Sequence, residues 1–410
     1  MKLIYIFNTH IPGRLAPAYQ CVQMCEAFSK AGAEVTLLYR KQPSGEEEPP
    51  DLWEYYGVER LFDARQIGSL DLRPALRRSP RSIRRPLLRF ADFLQALTFS
   101  IQAAWHLAAE RDILIFSRTP LAVSFLAAVR PFQARRIFYE AHDFPRSITG
   151  ILMRRWMAMR IGGIVAITEY IARRYREVGV SEERLLIEPG GFRADRFAIE
   201  GDKHHWRNRL GWPQEAFIFG YVGRFESWGE DKGLNTLIEA LIEIARDPTD
   251  RPARLALIGS PERTISRLRK RLTGASLPED LILYPGHIPG PEVPGYIRAF
   301  DVGVSPLPDS HRFAFYTSPL KLFEYMAAGT PIVATNLAAT ARIIRDGRNG
   351  LLVPPDDPGA MADALRQLRD DPALASRLAE QARRDVRERS WDARAGRILS
   401  WMKGLTGEHL

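Results

Sequence analysis

The chain has 410 residues, 45% of them hydrophobic and 26% charged, which is the balance of a soluble globular protein and more chain than one core usually serves. Two domains are therefore expected. With 58 basic and 49 acidic residues the net charge is +9, which favours anionic partners such as nucleotide diphosphates, phospholipid headgroups or nucleic acid; the two cysteines, Cys21 and Cys25, exclude a disulfide framework, suit a reducing compartment and are expected to be buried thiols.

Residues 3–7 read as a short apolar strand, entered without a secretory pattern before it. Residues 18–31 have helical spacing and close at Gly32. Strands are expected again at 35–39, 113–116, 137–139 and 164–167. This alternation predicts an α/β unit with a parallel sheet, and ligands in such units sit beyond the carboxyl ends of the strands. The first of those loops, residues 8–14, is not GxGxxG, which argues against a nicotinamide-binding half. Gly13 in it is either an ordinary turn glycine or a point where backbone approaches a ligand. The sequence EAHDF, residues 140–144, places His142 and Asp143 after a strand, where such a pair either caps a turn or meets a ligand.

The stretch 73–89 carries seven arginines and no acid, with Leu76, Ile83, Leu87 and Leu88 among them. It is either a mobile, solvated loop, a lining for an anionic acceptor pocket, or a basic patch that attaches to an anionic bilayer. No aromatic residues interleave its charges, so nucleic acid is not expected as a partner. Residues 93–109 are apolar and uncharged but too short and too polar for a membrane span, and are expected to be a core helix.

The segment 189–197, PGGFRADRF, marks a domain boundary near residue 195, after which the alternation restarts with a strand at 217–222. Gly223, Arg224 and Lys232 follow, with a helix from about Gly233. These charges are either solvated or a diphosphate cradle at a helix N-terminus. Strands at 255–258 and 281–284 end at Gly259 and at GHIPG, and residues 301–306 form another buried strand. The segment SPLKLFEYMAAGTPIV, residues 318–333, reads as a helix feeding a strand, with Ser318 as N-cap, Pro319 first in the helix and Gly329 closing it. Lys321 and Glu324 share a face as a solvated pair or as ligand contacts. Gly347 and Gly350 then turn the chain into a short strand, followed by helices at 359–370 and 372–389 and an amphipathic final segment.

SPLKLFEYMAAGTPIVA, together with Gly-Arg-Phe at 223–225, Lys-Gly-Leu at 232–234 and IIRDGRNGLLVPPDD at 343–357, resembles the donor site of the family-four retaining glycosyltransferases, glycosyl transferases group 1. The resemblance covers most of the chain, densest over 217–240 and 317–357 and thin before residue 130. It implies a GT-B fold: two Rossmann-like, doubly wound parallel-sheet domains facing across a cleft. Residues 1–195 would be the acceptor domain, 196–389 the donor domain, and 390–410 a helix returning to the first. The implied reaction moves a sugar, with retention, from a nucleotide-diphosphate sugar to a hydroxyl of a glycan or lipid-linked acceptor in bacterial polysaccharide or glycolipid synthesis.

By the same resemblance Arg224 and Lys232 neutralise the leaving diphosphate. The helix start at Ser318, Pro319 and Leu320 faces the phosphates beside Lys321, and Glu324 holds the ribose. Gly223 admits the donor closely, backbone at Gly286 and Ile288 holds the base, His142 hydrogen-bonds the donor sugar, and Gly13 lies between donor and acceptor. Two departures stand out. The family's first acid falls on Tyr316, and its Asn-Gly-Val-Asp appears as Gly190-Gly191-Phe192-Arg193. No cofactor and no metal are expected, since no DxD motif occurs in these loops and the protein's own cations suffice. The expected location is cytoplasmic, on the inner face of the plasma membrane, with 73–89 against anionic lipid. Tyr316 leaves open an inactive nucleotide-sugar-binding subunit. An epimerase on the same fold would need more acid/base groups than these loops hold. Slow donor hydrolysis would mark an enzyme, and binding without turnover a binding module.

Overall fold

The computed structural model describes residues 1–13, 16–41, 50–76, 80–227 and 229–407. The chain divides into two compact units, Met1–Pro189 with Trp391–Leu410, and Gly190–Ser390. Each is built on one parallel sheet.

In the first unit β1 (Lys2–His10) leads through α1 (Ala16–Lys30) to β2 (Glu34–Arg40). The short α2 (Leu52–Tyr56) is held by Asp51, whose carboxylate accepts from the Glu54 amide, and by Gly57 in the left-handed conformation. Then come β3 (Asp63–Ile67), α3 (Arg73–Leu76), α4 (Arg81–His106), β4 (Ile113–Ser117), α5 (Pro120–Val129), β5 (Ile137–Ala141), α6 (Ile148–Arg160), β6 (Gly163–Ala166), α7 (Glu169–Glu177) and β7 (Leu185–Ile187). The sheet runs β3-β2-β1-β4-β5-β6-β7. Its central strands are buried on both faces and so read as continuous apolar runs. β3, with the sequence DARQI, is an edge strand. Its polar residues face water, which is why no apolar pattern announces it.

Residues 93–109 are not the core helix that their composition suggests. Residues 93–106 belong to α4, a 26-residue helix that begins within the arginine-rich stretch, and residues 107–109 form the turn after it. Ala91, Gln95, Phe99 and Ala103 are buried, one helical turn apart, while Phe90, Phe93, Ile101 and Trp105 are exposed. The segment is apolar on two faces, and only one of them is packed. Of the stretch 73–89, residues 73–76 form α3, residues 81–89 open α4, and residues 77–79 lie outside the described residues. Cys21 and Cys25 are both free and buried on α1.

The second unit opens with α8 (Lys203–Leu210) and β8 (Phe217–Arg224), followed by a two-residue ribbon of β9 (Glu226–Ser227) and β10 (Glu230–Asp231). Next are α9 (Leu234–Ile244), β11 (Ala253–Ser260), α10 (Glu262–Gly274), β12 (Ile282–Gly286), α11 (Val293–Arg298), β13 (Val302–Ser305), α12 (His311–Phe315), α13 (Leu320–Ala328), β14 (Ile332–Thr335), β15 (Leu351–Val353), α14 (Pro358–Asp370) and α15 (Pro372–Asp385). The main sheet runs β12-β11-β8-β13-β14-β15. β8 shows why it sits at the centre. Phe217, Phe219 and Tyr221 enter one core, and Ile218 and Val222 the other. Between them Gly220 leaves room for the Phe300 ring, which a Cβ would meet at 2.3 Å.

Asp301, just before β13, ties this unit together. Its carboxylate accepts from Arg207 on α8 at 2.6 Å, from Arg251 at 3.0 Å and from the Ile218 amide at 2.7 Å, and pairs with Lys203. α16 (Trp391–Thr406) then returns to the first unit and packs along α1.

Candidate functional site

The loop ends of β8 and β11 approach closely. Gly259 has φ +145°, and a Cβ there would lie 1.9 Å from the Gly223 carbonyl oxygen, so glycine is required on steric and conformational grounds alike. Gly223 itself has φ +137°, and a Cβ on it would sit 3.8 Å from Cε of Lys321. Backbone at the end of β8 and the start of α13 are thus brought together.

Three cations gather here. Arg224 is exposed, and Lys232 is half-buried. Burial first, then the charges of Arg224 and Lys321, push the Lys232 ammonium down to about 8. Two of the three acids of the same loop are engaged elsewhere, Glu226 with Arg263 at 2.7 Å and Asp231 with Arg267 at 3.1 Å, and the third, Glu230, is exposed. Among the described residues neither Arg224 nor Lys232 has an ion-pair partner. Lys321 has one, Glu324, at 2.6 Å.

Two helices start near these cations, and they differ. The amides that open α9 are taken by Asp231, whose Oδ1 accepts from Gly233 at 2.8 Å and Leu234 at 2.7 Å. The expectation that this N-terminus forms part of an anion cradle is therefore corrected, because a carboxylate already sits on it. α13 has no side-chain cap, so its first amides carry no carboxylate or hydroxyl of the protein. Ser318 is not the N-cap foreseen for it. The cap residue is Pro319, with ψ 94°, and the first helical residue is Leu320. The Ser318 hydroxyl accepts instead from the Gly190 amide at 2.8 Å. Proline fixes its own φ, but the chain takes one more residue to turn, which moves the cap along by one. Gly329 closes α13 with φ +68°, as its sequence predicts.

The other expected residues are placed as follows. Tyr316 ends α12, its ring 5.6 Å from that of His311. Gly286 ends β12 with φ +88°. Ile288 turns its side chain into the core beside Phe192 and Ile297, leaving only its backbone for a ligand. Gly13 does not offer its backbone to a ligand. Its amide donates to the Tyr56 hydroxyl at 2.7 Å, and that hydroxyl donates back to its carbonyl at 2.9 Å.

His142 follows β5 in the first unit, with Nε2 against Oε1 of Glu140. Glu140 is buried, which raises its pKa, but Arg394, His142 and Arg118 outweigh this and keep it ionised below the usual carboxylate range. A carboxylate only accepts, so Nε2 is the donor and Nδ1 is left with a lone pair. Burial and Arg118 lower the His142 pKa to about 4 against the pull of Glu140, so the ring is neutral near pH 7. It can accept a hydrogen bond from a hydroxyl through Nδ1, but not donate one there.

Sequence reading named Glu140 without a role and missed Arg394. The Arg394 guanidinium bonds Oε2 of Glu140 at 3.2 Å through both Nη atoms, the Pro189 carbonyl at 2.6 Å and the Glu188 carbonyl at 3.1 Å. No group of His, Cys, Asp and Glu able to hold a metal occurs among the described residues.

Two Rossmann-like units, each carrying its loops at the carboxyl ends of parallel strands, define the GT-B class of fold. The chain aligns over its whole length with sucrose-phosphate synthase of Thermosynechococcus elongatus at a TM-score of 0.76 and 20% identity, covering 100% of both chains. It aligns with HepE of Anabaena, solved in complex with UDP, at a TM-score of 0.72 and 18% identity, covering 98% of this chain and 100% of that one.

Residues 18–196 match the model for Glycosyltransferase Family 4, and residues 216–371 that for Glycosyl transferases group 1. Among curated proteins it is 30% identical over 274 residues to a D-inositol 3-phosphate glycosyltransferase of Thermomonospora curvata, covering 64% of this chain and 61% of that protein. It is 28% identical over 248 residues to the phosphatidyl-myo-inositol mannosyltransferase of Mycobacterium leprae, covering 60% of each. The matched region thus spans about half to three-fifths of the curated relatives. The chain belongs to the family-four glycosyltransferases.

Proposed function

We propose that the protein is a retaining glycosyltransferase that takes its sugar from a nucleotide-diphosphate donor. The observation that carries this reading is the group of Arg224, Lys232 and Lys321 around Gly223, with one carboxylate among three cations. A desolvated ammonium crowded by two like charges is costly by itself and becomes favourable when an anion of charge two or more arrives. The uncapped start of α13 adds backbone donors to the same anion. Glu324, already oriented by Lys321, accepts from the ribose hydroxyls, and backbone at Gly286 and Ile288 holds the base.

In the reaction the bond from the anomeric carbon to the diphosphate oxygen breaks, and a bond from that carbon to the acceptor oxygen forms on the same face. The acceptor's proton passes to the departing diphosphate. Charge grows on the diphosphate as the sugar becomes oxocarbenium-like, and Arg224 and Lys232 meet that growth with donors fixed in advance. His142 accepts a sugar hydroxyl's hydrogen bond through Nδ1. This chemistry asks for no metal. The names of the curated relatives, with inositol phosphate or phosphatidyl-inositol as acceptor, support a glycan or lipid-linked acceptor in polysaccharide or glycolipid synthesis here. A cytoplasmic reaction beside the membrane, with the arginines of 73–89 towards anionic lipid, suits such an acceptor.

Incubation of the purified protein with a panel of nucleotide-sugars tests the reading. Slow release of free sugar is expected from at least one donor, and Arg224→Ala and Lys232→Ala should each lower the rate about tenfold or more with an unchanged circular dichroism spectrum. Undiminished rates in both variants, or binding without turnover whatever acceptor is offered, would defeat it.

A further inference from the structure

Every large hydrophobic side chain found exposed among the described residues belongs to the first unit, and none to the second. Most of them lie on three helices that pack side by side, α4 against α5 and α5 against α6. On α4 they are Ile83, Phe90, Phe93, Ile101 and Trp105, with Trp105 at 72% of full exposure. At 100° per residue these fall within one third of the helix circumference, away from the buried line of Ala91, Gln95, Phe99 and Ala103. On α6 Ile148, Leu152 and Trp156 recur every four residues, with Ile148 at 75% exposure, and Met153 and Met159 flank them. Phe132, just past α5, is fully exposed. Between α5 and α6 an open apolar groove of about 480 Å³ is lined by Leu121, Phe125, Leu152, Met153 and Trp156.

A monomer that stays in water does not leave so many aromatic and aliphatic side chains contiguous on one layer. The charges around them indicate what covers the layer. α4 carries Arg84, Arg85 and Arg89 against one acid, Asp92, and α6 carries Arg155 and Arg160 with no acid, while its Arg154 is turned inward and paired with Asp143 at 2.9 Å. Arg85, Arg89, Arg155 and Arg160 are exposed. A second copy docked here about a two-fold axis would set these arginines against their own kind. A surface of apolar chains beneath anionic headgroups satisfies both the side chains and the charges. Among the described residues no helix is long and apolar enough to cross a membrane.

We propose that the outer face of α4, α5 and α6 is a membrane-insertion surface. Phe90, Phe93, Trp105, Leu152 and Trp156 enter the boundary between headgroups and acyl chains, and Arg85, Arg89, Arg155 and Arg160 grip anionic headgroups around them. This goes beyond attachment by the arginine stretch alone, since α6 and its apolar residues contribute equally and part of the binding survives screening by salt. It stands independently of the donor chemistry.

The test is co-sedimentation of the full chain with vesicles of phosphatidylglycerol and phosphatidylcholine, against vesicles of phosphatidylcholine alone. The wild-type chain should sediment with the anionic vesicles, and a measurable share should stay bound in about 0.5 M salt. The variant Phe90→Gln, Phe93→Gln, Leu152→Gln, Trp156→Gln should bind at least about tenfold more weakly with an unchanged unfolding midpoint, the changes being at exposed sites. Tryptophan emission should be quenched by brominated acyl chains, and less so in Trp105→Phe. Binding of the glutamine variant equal to wild type would overturn the proposal, leaving the arginines sufficient. So would a wild-type chain that ignores both vesicles, or one that self-associates until the apolar residues are replaced. Loss of sugar transfer with vesicle binding intact would count against the donor-site reading and leave this surface standing.

Discussion

Lys232 has the most informative environment of any single residue. Its ammonium is disfavoured by burial and by Arg224 and Lys321, and its pKa of about 8 lies below the ordinary value of 10.5. The sign follows from linkage. Below about pH 8 the lysine is charged in both folded and unfolded chains and the folded state carries the full penalty; between about 8 and 10.5 the unfolded chain holds the extra proton, so stability rises with pH through that window. A bound diphosphate reverses the balance by favouring the charged form. The affinity for a nucleoside diphosphate should therefore fall as pH rises through about 8, by about tenfold overall, and the fall should vanish in Lys232→Arg, whose charge does not titrate. Calorimetric titration across that range checks it, and a pH-independent affinity in the wild type would remove Lys232 from the anion site. That Arg224 and Lys232 would lie beside the 320–328 helix was legible in the sequence, because short motifs carry them. Arg394 was not. It meets Glu140 across 254 residues, a distance no local pattern spans. Nor did the sequence tell that Asp231 occupies one of the two helix starts, since an acid two residues before a glycine also reads as part of a turn.

Elements were read best where burial imposes a pattern. β1, β2, β4, β8 and β11 appeared as apolar runs because parallel strands are covered on both faces. β3 escaped because an edge strand keeps polar side chains, and α4 was misread because its two apolar faces look the same in one dimension. The join of α8, β8 and β13 rests on Asp301 and supplies a prediction of its own. Burial raises the Asp301 pKa, but Lys203, Arg207 and the Ile218 amide overcome it, so the carboxyl lies below its usual range. A depressed folded pKa means that its contribution is present above the unfolded value and disappears as pH falls through the folded one. Arg207 beside it is 1% exposed. Asp301→Ala leaves that guanidinium buried without its carboxylate and should cost about 3–5 kcal/mol in urea unfolding at neutral pH. The deficit relative to wild type should shrink in acid, where the wild type loses the same interaction. A deficit under about 1 kcal/mol would show the pair to be dispensable.

At the scale of the whole molecule the chain builds most of one unit, then all of the second, and then returns to complete the first. α16 is more than a cover for α1, because its Arg394 is foremost among the groups that keep Glu140 ionised inside the sheet. Arg394→Met should raise hydrogen exchange at the amides of β5, with protection at β8 unchanged. Restoring a matched apolar pair with Glu140→Leu should recover much of the loss, since buried ion pairs replaced whole are often neutral in cost. Equal deprotection of β5 and β8 would mean that the damage is general. The route of the chain also orders its birth. As the polypeptide leaves the ribosome, the middle unit can close on itself while the earlier one still holds a carboxylate with no guanidinium to meet it. A nascent chain halted before residue 391 should therefore present one finished body and one that chaperones still recognise.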